Sequence, residues 1–274
     1  MIPTYSSENT HKMGIVMQHL GQLNEYDFTK PHRHDYFEFF YFKKGGGNHI
    51  IDFKIFPITA NSVHIVAPGQ IHQVNRALDS EGYIVLFDLE MIEAPKAIEN
   101  FLFEHICLDA EELKPTFKLN DVSEIENGRK LDEVYSLMQV NKEIGKLKII
   151  NALHSFCIDC MSLSETANKK LSNDYLLFRK HLKEHFTKIK KVKEYAEMMH
   201  VSERGLNDLV KKHSGKSASE VILECVIMEA KRLLRTGISV KETAYSLNYD
   251  DPGHFSKLFK SKTGQSPSDF QNCT

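Results

Sequence analysis

Residues 248–264 read NYDDPGHFSKLFKSKTG. Asp251 stands where an N-cap carboxylate would accept backbone N–H bonds at the positive end of a helix dipole. Pro252 falls at the first helical position, where a missing N–H costs nothing. Phe255, Leu258 and Phe259 follow at i, i+3 and i+4, and Gly264 sits where a C-terminal glycine belongs. The other face carries Gly253, Ser256, Lys257 and Lys260, with no acid among them. This predicts a short helix with one apolar face and one small, basic face, a shape suited to a DNA major groove. Many amphipathic surface helices share the pattern, so the neighbouring sequence has to decide.

Upstream, SVKETAYSL opens with Ser239 and has Glu242 three residues on, a capping-box pattern, with Ala244 and Leu247 as its apolar positions. Asn248 between the two segments tolerates a left-handed turn, and Tyr249 is apolar enough to fold inward. Helix, tight turn and second helix make a helix-turn-helix. The arrangement recurs in VKEYAEMMHVSERGLNDLVKKHSG: Ala196 and Met199, a turn at His200–Val201, Ser202 as N-cap, then Leu206, Leu209 and Val210 before Gly215. Leu206 to Gly215 and Phe255 to Gly264 are both nine residues, and the two glycines lie 49 apart. Between them Ile222, Val226, Ala230 and Leu233 recur at helical spacing, which predicts one long helix joining two helix-turn-helix units.

The stretch EAKRLLRTGISVKETAYSLNYDDPGHFSKLFKSKTGQSPSDF resembles the AraC/XylS family of transcription regulators, and the likeness runs from about Leu171 to Phe270. The resemblance implies a DNA-binding domain that places the second helix of each unit in a major groove. By position, the first recognition helix would use Arg204, Asn207, Asp208 and Lys211, and the second Gly253, His254, Ser256, Lys257 and Lys260. Asp208 stands where the family often has a basic residue, which favours a base-edge or structural role there. Asn248 replaces the family's usual turn glycine. RNA polymerase and a second copy of the chain are further partners that the resemblance implies.

Charge follows the same division. Residues 170–274 hold 19 Lys and Arg against 13 Asp and Glu, a net +6, whereas residues 1–169 are −8, so the whole-chain −2 hides a basic half. No apolar stretch approaches the roughly 18 residues that span a bilayer, and the N-terminus lacks a signal-peptide core. The five cysteines form no disulfide framework. Cys157 and Cys160 make a CxxC, but helical apolar periodicity accounts for both and no second pair completes a metal site. These features place the chain in the reducing cytoplasm, without contact with a membrane.

The N-terminal half carries short aromatic and β-branched runs from Tyr36 to Leu89, separated by turn-formers such as KKGGGN and ITANS, which argue an antiparallel sandwich or small barrel. PHRHDYFEFFYFKKGGG followed by IVAPGQIHQV is similar to the cupin-type sensor barrel of many AraC relatives. The fold class is thus α+β: a cupin-like antiparallel barrel with flanking helices, then an all-α domain. The expected limits are 1–165 for the sensor (barrel about 14–92, helices about 93–165), 166–173 for a linker and 174–274 for the DNA-binding domain.

His32, His34 and Glu38 form H-x-H-x3-E, and His72 follows in PGQIH. Positions 32, 34 and 38 are all even, so on one strand they would share a face. Imidazole and carboxylate are apt metal donors, and in metal-binding cupins these four residue types ligate a metal. PGQIH is one residue shorter than the usual cupin pattern, however, and the family commonly keeps a His-rich entry strand without metal. The four are therefore assigned to an effector pocket for a small molecule, with no cofactor, metal ligand or catalytic residue named. Two alternatives stay open: a metal-dependent cupin enzyme fused to a DNA-binding module, and a regulator whose barrel serves only dimerisation. Helical stripes between barrel and linker (Ile125, Leu131, Val134, Leu137 and Met138; Leu147, Ile150, Leu153, Phe156 and Cys157) are expected to bury one face each and to support a homodimer.

Overall fold

The structure, a computed structural model, describes residues 3–5, 15–20, 30–104, 115–119, 121–163 and 172–272. The chain divides into two compact units near residue 171, consistent with an α+β chain. No helix among the described residues is long and apolar enough to cross a membrane.

Among the described residues the first unit holds ten strands: β1 (Thr4–Tyr5), β2 (Val16–His19), β3 (His32–His34), β4 (Phe37–Lys44), β5 (Gly47–Ile51), β6 (Lys54–Pro57), β7 (Ser62–Val66), β8 (Ile71–Arg76), β9 (Glu81–Phe87) and β10 (Thr116–Lys118). They form two five-stranded sheets, ordered β1-β3-β8-β5-β6 and β10-β7-β4-β9-β2. Among the described residues only the β1–β3 pair is parallel. β4, central in its sheet, explains why FEFFYF does not alternate: both of its faces are covered. Phe40 and Phe42 point between the sheets onto His49, His72 and His64, while Phe39 and Tyr41 meet Phe156 outside.

Turn residues act where the sequence placed them. Gly47 has φ 89° and its Cα faces the Asn75 carbonyl so closely that a Cβ would sit 2.1 Å from that oxygen. Asn61, at φ 54°, accepts from the Tyr41 hydroxyl at 3.1 Å and donates to the Leu119 carbonyl at 3.2 Å.

Among the described residues three helices flank the sheets: α1 (Lys96–Glu104), α2 (Asp121–Val140) and α3 (Lys142–Leu163). α2 and α3 cross closely at Gly145, where a Cβ would stand 2.6 Å from the Met138 side chain. The buried face of α3 is Gly145, Ile149, Leu153, Phe156, Cys157 and Cys160. Leu147, expected on that face, is instead 66% exposed, because α3 carries a second apolar stripe with Ile144 and Ile158. On α2, Leu131 and Val134 are buried, and the side chain of Ile125 lies outside the described residues. Burial raises the Cys157 thiol pKa to about 12 and holds Cys160 well above its usual value, with Cys157 and Asp159 adding to it.

The second unit is all helical: α4 (Asn173–His185), α5 (Val192–Met198), α6 (Glu203–Ser214), α7 (Ala218–Arg235), α8 (Val240–Ser246), α9 (Pro252–Thr263) and α10 (Pro267–Asn272). α7 is the long connector, and it serves two cores. Its first half gives Ala218, Val221, Ile222 and Cys225 to a cluster with Phe178, Leu182, Tyr195, Leu206 and Val210. Its second half gives Val226, Ile227, Ala230 and Leu234 to a cluster with Ala244, Leu247, Phe255, Phe259 and Phe270. Leu234, not Leu233, is the fully buried residue at its end.

Candidate nucleic-acid interface and ligand site

The two helix-turn-helix units are built by the same local devices. Ser202 caps α6 through the Gly205 N–H at 3.0 Å. Asp251 caps α9 through the N–H groups of Gly253 at 2.8 Å and His254 at 3.2 Å, with Pro252 as the first helical residue. Gly215 and Gly264 close the helices in the left-handed conformation, φ 75° and 81°. Both turns use a left-handed non-glycine, His200 at φ 55° and Asn248 at φ 56°. The following amide returns to the preceding helix in each case, Val201 to Ala196 at 3.0 Å and Tyr249 to Ala244 at 2.9 Å. Asn248 also donates to the Lys188 carbonyl at 3.0 Å, a bond glycine could not make. Ser239 and Glu242 form the full capping box on α8, and Ser217 and Glu220 form another on α7.

The exposed faces of α6 and α9 differ in charge. On α9, Gly253, His254, Lys257 and Lys260 are exposed, and neither lysine meets an acid among the described residues. Ser256 is half-buried and its hydroxyl donates to the Pro252 carbonyl at 2.7 Å. On α6, Arg204 and Asp208 are exposed but face one another, Nε to Oδ2 3.9 Å, and Lys211 is exposed beyond them. Asn207 sits differently. Its amide oxygen accepts the Ala218 N–H at 3.1 Å and its NH2 group donates to the Glu203 carbonyl at 3.1 Å. It ties α6 to the first turn of α7.

The first unit holds a second polar constellation, between the sheets. His32 and His34 lie on β3 and Glu38 on β4, so the three do not share one strand as their parity suggested. The chain turns at Asp35–Tyr36 and passes to the opposite sheet. They converge all the same, because the sheets face each other. The short PGQIH loop brings His72 opposite His32 in register. Asp52 braces that loop, accepting from the Gln70 side chain at 2.8 Å and the Ile71 N–H at 3.2 Å. Two further histidines join: His49 on β5 and His64 on β7, and all five rings and Glu38 are at most 1% exposed.

Hydrogen bonds order these rings. His34 Nδ1 meets the Tyr36 carbonyl at 2.8 Å. His72 Nδ1 meets His49 Nε2 at 3.1 Å, and His49 Nδ1 meets His64 Nδ1 at 3.2 Å. The chain ends at Ser62, whose oxygen lies 3.4 Å from His64 Nε2 while its hydroxyl donates to the Thr59 carbonyl at 2.7 Å. Burial lowers the His64 pKa to about 3. Burial and the neighbouring imidazoles hold His49 and His72 well below the usual range. His49, His64 and His72 therefore each carry one proton. Ser62 has given its own to Thr59, so His64 Nε2 donates, and the sense of every later bond follows. His49 and His64 escaped the sequence motif, although both occupy inward positions of runs with β character.

Comparison with known proteins separates the same two units. Residues 19–144 match the AraC-like ligand binding domain, and residues 195–272 match a helix-turn-helix domain. The chain belongs to the AraC family of transcription regulators. Among curated relatives of this AraC-family chain, the HTH-type transcriptional activator Btr of Bacillus subtilis is 24% identical over 233 residues, 84% of this chain and 43% of Btr. The chain thus spans less than half the length of Btr. The HTH-type transcriptional activator RhaS of Salmonella arizonae is 25% identical over 253 residues, 88% of this chain and 86% of RhaS. Among solved structures, ToxT from Vibrio cholerae aligns over 94% of this chain and 98% of its own, at 14% identity and a TM-score of 0.46.

Proposed function

We propose that this chain is a sequence-specific DNA-binding activator whose barrel binds a small effector. The observation that carries the reading is the duplicated helix-turn-helix on one connector, with both second helices capped and closed by glycine, and α9 basic on its exposed side. In this reading α9 supplies Gly253, His254, Ser256, Lys257 and Lys260 to one major groove, and α6 supplies Arg204, Asp208 and Lys211 to the next. Asn207 lies between those contacts but works mainly as a cap, since both ends of its amide are engaged. His32, His34, Glu38 and His72 form the polar core of the effector site, and no catalytic role is assigned. The domain limits are 1–165, 166–173 and 174–274.

The exposed stripe Ile144, Leu147 and Ile158 on α3 supports a homodimer, because it leaves apolar side chains at heptad-like spacing beside the buried face. Similarity to proteins named as activators supports contact with RNA polymerase, in the cytoplasm with the DNA. Selection of binding sites from random DNA tests the whole reading. It should yield two short boxes about one helical turn apart, bound with an affinity that falls steeply as salt rises. Failure to enrich any sequence would reject it.

A further inference from the structure

In the second unit, a buried nitrogen of His181 lacks a hydrogen-bond partner among the described residues. His181 lies in the last turn of α4, beside the core residue Leu182. Its Nδ1 is closed off from solvent, a state that costs stability unless some group satisfies it. Glu184 Oε2 stands 4.0 Å from that nitrogen, and the same oxygen stands 3.9 Å from His185 Nε2. Both gaps are too long for a hydrogen bond. The two imidazole rings lie nearly parallel, with 17° between planes and 6.3 Å between centroids. Glu184 meets no lysine or arginine among the described residues, although Lys180 lies one turn before it. Its carboxylate turns to the two imidazoles instead.

We propose that His181, Glu184 and His185 bind one divalent first-row transition ion, zinc(II) above all, through His181 Nδ1, Glu184 Oε2 and His185 Nε2. Positions i, i+3 and i+4 share one helix face, and imidazoles four apart on a helix are a zinc-binding spacing. Each of the three residues offers a donor atom within 4.8 Å of the others. Zinc bonds of about 2.0–2.2 Å place tetrahedral donors ~3.4 Å apart, so each gap has to close by about half an ångström. Glu184 and His185 are partly exposed and can make that move, while His181 is the more buried anchor. Two imidazoles and one carboxylate suit zinc(II), cobalt(II) or nickel(II); the set disfavours copper(I), which wants thiolate, and magnesium or calcium, which want oxygen. Three protein ligands leave a fourth position to water. The ion pins the turn from which the chain leaves α4 toward Phe186, which packs against both hydrophobic cores. Binding therefore stabilises the second unit by mass action.

The test uses the full chain without an affinity tag, stripped with chelator and titrated with zinc(II) at about pH 7.5, because a ligating imidazole must be neutral. Calorimetry should show the unaltered chain taking up one zinc ion that His185→Lys does not. Zinc should also raise the melting temperature of the second unit more in the unaltered chain than in that variant. His181→Ala and Glu184→Gln should each weaken the site at least ~10-fold. His185→Lys keeps a cation at the C-terminal end of the α4 dipole, so its metal-free melting temperature should match that of the unaltered chain. This separates ligation from a favourable charge at the helix end. His185→Gln repeats the comparison in case the lysine disturbs the fold. Identical zinc titrations of the unaltered chain and the His185 variants overturn the proposal, wherever else on the chain zinc sits. So does a site that Glu184→Gln leaves unchanged, and so does an unaltered chain that takes up no zinc at micromolar concentrations.

Discussion

Lys257 and Asn207 lie on equivalent recognition helices yet should respond to substitution in opposite ways. Lys257 is exposed and meets no acid among the described residues, so Lys257→Ala should leave the melting temperature nearly unchanged and weaken DNA binding. A phosphate contact would lower the salt slope by about one unit for every sequence, whereas a base-edge contact would relax discrimination at one position. Asn207→Ala removes the acceptor that caps α7 at Ala218 and should cost about 1 kcal/mol of stability. Thermal denaturation of both variants, alongside a gel-shift salt titration, checks the pair. In the barrel, His64 adds a pH dependence. Its folded pKa of about 3 lies below the unfolded value of 6.5, so the unfolded chain binds more protons between those values. Stability is complete above pH 6.5 and falls by up to ~1.4 kcal/mol per pH unit below it. Melting curves of the unaltered chain and of His64→Gln, taken from pH 7 to 5, should show the shallower fall in the variant.

Among the elements, α9 was the most legible, because each of its signals is local. Asp251, Pro252, Phe255, Phe259 and Gly264 each act within one or two turns, and each does in the structure what its residue type predicts. Phe255 is fully buried against Tyr249 and Phe259. Phe255→Ala should therefore cost about 3–5 kcal/mol through the cavity it leaves, measured as denaturant unfolding of the second unit. α3 was harder to read. It is apolar on two faces, and periodicity does not say which one meets the sheet, so Leu147 was assigned to the face that Ile149 and Phe156 occupy. The same exposure makes Leu147→Glu informative: it should leave the fold intact and shift a dimer toward monomer in sedimentation equilibrium.

At the scale of the whole molecule, what escaped the sequence is what depends on pairing across the fold. H-x-H-x3-E marks the entry strand, but His49 and His64 join the cluster only because β5 and β7 belong to facing sheets. Asn207 becomes a cap only because α7 begins eleven residues later. The central claim concerns the two helix-turn-helix units acting together on one duplex. α7 shares its length between two hydrophobic cores, with four buried residues in each, so α6 and α9 should move as one body and reach successive major grooves on one side of the DNA. Hydroxyl-radical footprinting of the full chain on a selected site measures this most directly. Two protected boxes separated by roughly 10 base pairs, on the same face of the helix and present for each bound chain, are the expected result. A single short protected box per chain, or two boxes on opposite faces, would contradict the account.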